Sequence, residues 1–270
     1  MNTSQVTNFF NAFTSCLSIP NHRYLSWEHC YNFFKGERAS SCPPRFDLLS
    51  LHLGFYLASW GMMRGSSVLL QKDYLIHVDA IKILWKSKYN SLWGKTWSSV
   101  VSDKSDIDLI FNKNGLKDEL VSCYKSKGIS PTDTLITKII LGTMGCIPAY
   151  DRFLIEGLRA DGKTKNFGKK SFVQIIDSYG TMSGFLLPSY TSSVYLTLTY
   201  PQMKIIDCIF WQFGYYIDEI KTQLKKSPSG IPVTNGSSSY TLSKSGGSYK
   251  VGATSYSSIK DVVLAGWYKK

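Results

Sequence analysis

Two aspartates in this chain stand where a carboxylate could act on a bound substrate. Asp151 follows Cys146-Ile147-Pro148-Ala149-Tyr150 and precedes a helical pattern over Arg152 to Leu158. Pro148 keeps the residue before it extended, so the link delivers Asp151 to the start of that helix. There the helix dipole favours the ionised acid. An ionised acid placed there can stabilise positive charge that develops beside it or orient a water molecule. Asp207, in Lys204-Ile205-Ile206-Asp207, follows a proline too and is a rival. It falls inside an apparent helix, where pairing with a basic residue is the simpler role.

Upstream of Asp151, Lys127-Gly128-Ile129-Ser130-Pro131 reads as a tight turn that opens a helix over the apolar run Leu135 to Gly142. Pro131 suits the first helical position and Ser130 the N-cap. Gly142 or Gly145 should end the helix. Turn amides and a helix N-terminus make an anion site, so a phosphate can sit there. An ordinary helix–helix turn and an ordinary capping aspartate would give the same pattern, and a catalytic aspartate can also cap its helix.

Other chemistries find little support. The six cysteines, at 16, 30, 42, 123, 146 and 208, include no Cys-x-x-Cys pair, and the four histidines are scattered. Neither zinc nor an iron–sulfur cluster is expected, and no cofactor is inferred. Asp103, Asp106 and Asp108 alternate with apolar residues too loosely for a metal-binding loop and read as a helix start. The formal charge of +12 and a pI near 9.3 point to a polyanionic partner. With 17 Tyr, 14 Phe and 7 Trp, the composition suits a protein that handles unstacked bases, or equally an aromatic core under a lysine surface. No signal-peptide pattern opens the chain, and no run approaches the about 18 apolar residues of a membrane span. A cytoplasmic, monomeric protein that does not engage membranes is the expectation.

The elements that must position these residues read as mostly helical. Tyr24 to Phe34 forms an amphipathic helix capped by Ser26, and Lys35 to Arg45 a loop. Leu48 onward is a buried helix that breaks at Gly61 to Ser67, with a second helix from Ser66 or Ser67, and Lys72 to Lys88 continues as helix. Asp103 to Phe111 and Leu116 to Lys127 are short helices split by Asn112-Lys113-Asn114-Gly115. Arg159 to Lys170 is a loop with five basic residues that could hold phosphates or equally form a solvated turn. Helices follow at Ser171 to Tyr179, at Leu186 to Tyr200 (from Pro188) and at Met203 to Ile220. Composition changes at Lys225. From residue 221 there are eight lysines against one acid, and β-like alternation flanks Gly246-Gly247, a hairpin signal. The domains are therefore drawn at 1–225, helical, and 226–270, a basic β appendage or tail.

The stretch from Lys127 to Arg159 resembles the helix-hairpin-helix DNA glycosylases. In that superfamily a Gly-rich hairpin opens a helix, an apolar run follows, and a Pro-containing link carries an aspartate onto the next helix. Here the hairpin would occupy about 120–142, with Gly128 to Pro131 as its turn and Ser130 in place of the second turn glycine. Asp151 would be the aspartate. Bifunctional members carry a lysine in the hairpin's second helix; that place falls on Thr132, 19 positions before Asp151. The resemblance thus implies a monofunctional hydrolase on a mainly α fold that removes a damaged or modified base from DNA after flipping it out of the stack. It would serve genome repair or defence against foreign DNA with altered bases. Arg64, Ser66, Lys127, Gly128, Ser130, Thr132, Arg152, Lys169 and Lys170 are the expected DNA contacts, and Tyr56, Trp60 and Tyr150 the expected pocket for the base. The alternative from another class is a non-catalytic DNA- or RNA-binding protein that uses the same hairpin and basic tail.

Overall fold

The computed structural model describes residues 1–65 and 67–269. Helices α1 to α11 run over Thr3–Thr14, Leu25–Ala39, Phe46–Ser59, Val78–Leu84, Lys104–Phe111, Leu116–Lys125, Asp133–Thr143, Arg152–Ala160, Lys169–Tyr179, Gln202–Lys226 and Ile259–Leu264. Strands β1 to β5 are Ile231–Thr234, Ser239–Ser245, Ser248–Val251, Thr254–Tyr256 and Tyr268–Lys269. The chain is thus mainly helical with a small C-terminal antiparallel sheet. It divides into two units built from discontinuous segments: Thr14–Tyr150 with Phe167–Asp207, and Met1–Phe13 with Asp151–Asn166 and Cys208–Lys270. The β segment, set apart by composition, therefore shares a unit with the amino-terminal helix. Among the described residues no helix is long and apolar enough to cross a membrane.

In the larger unit, α2 and α3 pack on each other and on α7, and α4 packs on α3 and α6. The reason is that α7 is enclosed on all sides: Leu135 to Thr143 are all buried, Thr137, Lys138 and Thr143 among the apolar residues. Two tryptophans tie this core to backbone carbonyls that lack a helical partner. Trp27 Nε1 donates to Leu141 O at 3.0 Å and Trp97 Nε1 to Cys146 O at 2.8 Å. Both bonds remove a cost of roughly 1–3 kcal/mol that an unsatisfied buried polar group would carry.

In the smaller unit, α8 and α10 cross with their backbones nearly touching. A Cβ at Gly214 would lie 1.9 Å from Phe153 O, and one at Gly157 would lie 2.3 Å from Phe210 O. Phe9 of α1 stacks on Phe213 with ring centroids 4.9 Å apart. The sheet has the order β4-β3-β2-β1-β5. Its buried face alternates along the strands as a half-covered sheet requires: Ile231, Val233, Leu242 and Val251 point inward with Ile259, Val262 and Val263 of α11. Gly246-Gly247 joins β2 to β3 as a two-residue turn between the paired Ser245 and Ser248.

Five expectations are corrected. The loop expected over Lys35 to Arg45 begins later, because α2 continues to Ala39. Ser26 does not cap α2, which starts at Leu25 after Tyr24; the Ser26 hydroxyl is buried without a hydrogen-bond partner. The second helix expected after the Gly61 break is a single 3-10 turn, Val68–Gln71, capped by the Ser67 side chain. Lys72 to Lys88 is not one helix: Asp73 caps a 3-10 turn, Tyr74–His77, before α4 begins. The helix expected over Leu186 to Tyr200 is absent. There Ser192 Oγ takes the N–H groups of Val194 and Tyr195, donates to Glu28 at 2.5 Å, and an isolated bridge joins Thr191 to Thr199. Serine and threonine hydroxyls offer the backbone these local bonds in competition with a helix.

The α8–α10 crossing makes a direct stability prediction. Gly214→Ala should lower stability by at least about 3 kcal/mol, because the backbone must separate, beyond the ordinary range for a point substitution. Gly36→Ala, on an exposed α2 face with no atom within 4 Å, should raise it by roughly 0.5–1 kcal/mol. Denaturant midpoints of the two variants check both signs.

Candidate functional site

The hairpin turn forms where the sequence places it. After α6, Gly128 adopts φ +73°, the left-handed conformation that glycine enters without a Cβ penalty. Its N–H reaches Lys125 O, and the N–H of Ile129 reaches Tyr124 O, so the last carbonyls of α6 are satisfied. Ile129 is buried and anchors the turn, while Gly128, Ser130 and Thr132 are exposed. The cap, however, is Thr132, whose Oγ1 accepts from Leu135 N, and α7 begins at Asp133. Ser130 is not the N-cap, and Pro131 stays in the extended approach. Lys127 is committed to the scaffold: its Nζ donates to Ile76 O at 3.2 Å and pairs with Asp79 at 2.7 Å. That hydrogen bond draws the Asp79 carboxyl below its usual range.

Beneath Lys127 lies His77. Its Nδ1 is 2.7 Å from Tyr124 Oη, and its Nε2 is buried without a partner. Burial, helped by the Lys127 charge, lowers its pKa to about 4. The folded state therefore resists protonation, so His77's contribution is complete above the unfolded value near 6.5 and is lost as pH falls toward 4. The full loss is roughly 3 kcal/mol. Stability should accordingly drop between pH 6.5 and 5, and His77→Gln should flatten that slope in urea melts.

The link into Asp151 is pinned from several sides. Tyr150 N donates to Thr137 Oγ1, and Thr134 Oγ1 donates to Tyr150 O, each at 2.9 Å. Two hydroxyls on one face of α7 thus hold the residue before Asp151. Asp151 then caps α8, its Oδ1 accepting from Phe153 N and Leu154 N at 3.1 Å each. Asp207 is 4% exposed. Its Oδ1 accepts Ala149 N–H at 2.9 Å, and its Oδ2 pairs with Lys204 Nζ at 3.0 Å. One carboxylate oxygen thus holds the link and the other holds Lys204.

Sequence reading missed a cluster of cations around Trp60. Lys138 and Lys204 are 3% and 2% exposed, and their Nζ atoms lie 4.8 and 5.6 Å from the Trp60 ring centroid. Arg23 lies 5.2 Å from the same ring, and Tyr24 stacks on it with centroids 5.2 Å apart. Lys204 also sits over Trp27 at 5.1 Å. Ammonium groups on an aromatic wall attract carbonyl or anionic groups, and burying them costs several kcal/mol per ion unless they are compensated. One signal was present: Lys138 is the single charge in the apolar run Leu135 to Leu141.

The other expected site residues divide clearly. Tyr56 and Tyr150 are sealed in the core. Tyr150 Oη is 2.9 Å from Ser171 Oγ, and burial pushes its phenol well above the usual range. Trp60 keeps part of its surface open. Arg64 and Lys170 are exposed. Ser66 lies outside the described residues. Lys169 pairs with Asp108 at 2.5 Å, and Arg152 pairs with Asp218 at 3.3 Å. The loop expected over Arg159 to Lys170 is shorter, since α8 runs to Ala160 and α9 starts at Lys169. Arg159 and Lys163 are paired with Glu156 and Asp161, so they are not a bare phosphate-holding stretch. Among the described residues no group of His, Cys, Asp and Glu is placed to hold a metal ion. Comparison with protein-family models, curated proteins and solved structures finds no match to the chain.

The buried pair can be tested on its own. Asp207→Ala should cost about 3–5 kcal/mol, because it strands the Lys204 ammonium. Lys204→Met with Asp207→Asn should recover most of that loss, since asparagine still accepts Ala149 N–H. Chemical unfolding of the single and double variants measures the difference.

Proposed function

We propose that this protein is a monofunctional DNA glycosylase of helix-hairpin-helix type, hydrolysing the N-glycosidic bond of a damaged or modified base. The observation that carries the reading is local. A helix, a glycine turn and a second helix are followed by a pinned link that ends in Asp151, whose carboxylate oxygen is fixed by two N–H groups at the first turn of α8. A carboxylate immobilised in this way needs no reorganisation when positive charge develops on a sugar, which is the condition for strong electrostatic stabilisation.

In this reading the base leaves the stack, and its bond to the sugar lengthens toward an oxocarbenium ion. Asp151 stabilises that charge and orients the water that adds to the anomeric carbon. The exposed turn Gly128 to Thr132 suits a backbone phosphate, because the first N–H groups of α7 have no intrahelical acceptor. Of the three aromatic residues expected to meet the base, Trp60 is the one with open surface and with ammonium donors about its ring. Thr132 occupies the place of the superfamily's lysine and spends its side chain on the helix cap. The expected products are therefore abasic sites, without strand cleavage and without an adduct trapped by borohydride.

The test is an abasic-site assay on DNAs carrying oxidised, alkylated, deaminated and heavily modified bases, with wild type beside Asp151→Asn. Wild type should form alkali-labile sites on at least one DNA. The variant should lose at least about a hundredfold in rate, as removal of a dominant electrostatic group does, while binding DNA nearly as well. Equal rates would remove Asp151 from the mechanism. Binding without product on every DNA would leave a non-catalytic nucleic-acid-binding protein.

A further inference from the structure

We infer a second nucleic-acid site in the smaller unit, a groove that grips a sugar–phosphate backbone without reading its sequence. The groove has a volume of about 580 Å³ and is bounded by α8, α10, the β2–β3 turn and the start of α11. Arg159, Lys221, Lys244 and Lys260 line it, and Glu156 is the one acid in its wall. Glu156 is already shared, bonded to Lys221 and lying 3.3 Å from Arg159. Lys244 and Lys260 make no ion pair within 4 Å among the described residues, although Lys260 adjoins Asp261. Asp261, next to Lys260, accepts from Ser257 and Ser258 of the wall at 2.5 and 2.6 Å; those bonds, with the Lys260 charge, keep its carboxyl below the usual range.

The wall therefore carries four cations against one carboxylate, and a concave place with an excess of one sign concentrates counter-ions. Its shape and chemistry choose among anions. The groove is open rather than a closed pocket, so a chain can pass along it. Tyr249 is its single aromatic residue, too little for stacking successive bases, whereas ammonium groups suit phosphate oxygens. The glycine turn at Gly246-Gly247 removes side chains from one rim and lets a backbone approach. The inference rests on the nucleic-acid part of the reading above and not on base excision.

The experiment measures binding of the full chain to unmodified duplex DNA as a function of salt. Wild type is compared with Lys244→Ala/Lys260→Ala, and with Lys250→Ala, an exposed β3 lysine outside the groove, as control. Each phosphate contact contributes about 0.9 to the slope of log affinity against log salt. The double variant should lower the slope by close to two contacts, weaken binding equally on unrelated sequences, and melt at the wild-type temperature. The control should match wild type. An unchanged slope, or an equal fall in the control, would overturn the site. So would loss of binding to vesicles of anionic lipid with DNA binding intact. Because the assay needs no excision, an inactive but DNA-binding protein would still decide it.

Discussion

The ion pair between Lys204 and Asp207 is the constraint on which the candidate site depends. Both groups are withdrawn from water, and such a pair is seldom a net source of stability. What it supplies is position. Asp207 holds Ala149 N–H with one oxygen and Lys204 with the other, while Thr134 and Thr137 hold Tyr150. The Pro148 link therefore has little freedom where it enters Asp151. The same lysine lies against Trp27 and Trp60, so the pin and the aromatic wall share one ammonium group.

The excess of positive charge is less available than its size suggests. Lys127, Arg152 and Lys169 each meet an acid, Lys86 and Lys88 share Glu119, and Lys95 bridges Asp103 and Asp106. The exposed pairs among them stabilise by only about 0–1 kcal/mol each. They nevertheless spend cations locally, so a polyanion would be gripped where acids are scarce. The groove lined by Lys244 and Lys260 is such a place, and it lies in the segment where lysines outnumber acids eight to one.

Strain and close approach are placed where the scaffold needs them. The left-handed Gly128 lets α6 satisfy its last carbonyls and turn into α7. Gly157 and Gly214 let α8 and α10 cross at backbone contact, which fixes the helix that Asp151 caps. His77, buried and held neutral beneath Lys127, couples the stability of the hairpin's support to pH.

The sequence by itself determined what depends on neighbours along the chain. The turn at Gly128, the end of α7 before Gly145, the cap at Asp151 and the β-hairpin at Gly246-Gly247 follow from hydrogen bonds and dihedral preferences spanning a few residues. Even there a local choice was open: Thr132 outcompeted Ser130 for the cap because its hydroxyl meets the third N–H of the helix that actually forms. Tertiary structure decided the rest. Residues 186–200 are not helical, because Ser192 and Tyr200 bind Glu28, more than 160 positions away. The cations around Trp60 come from positions 23, 138 and 204. Burial is a property of all the segments packed around a side chain at once, so no short window of sequence contains it.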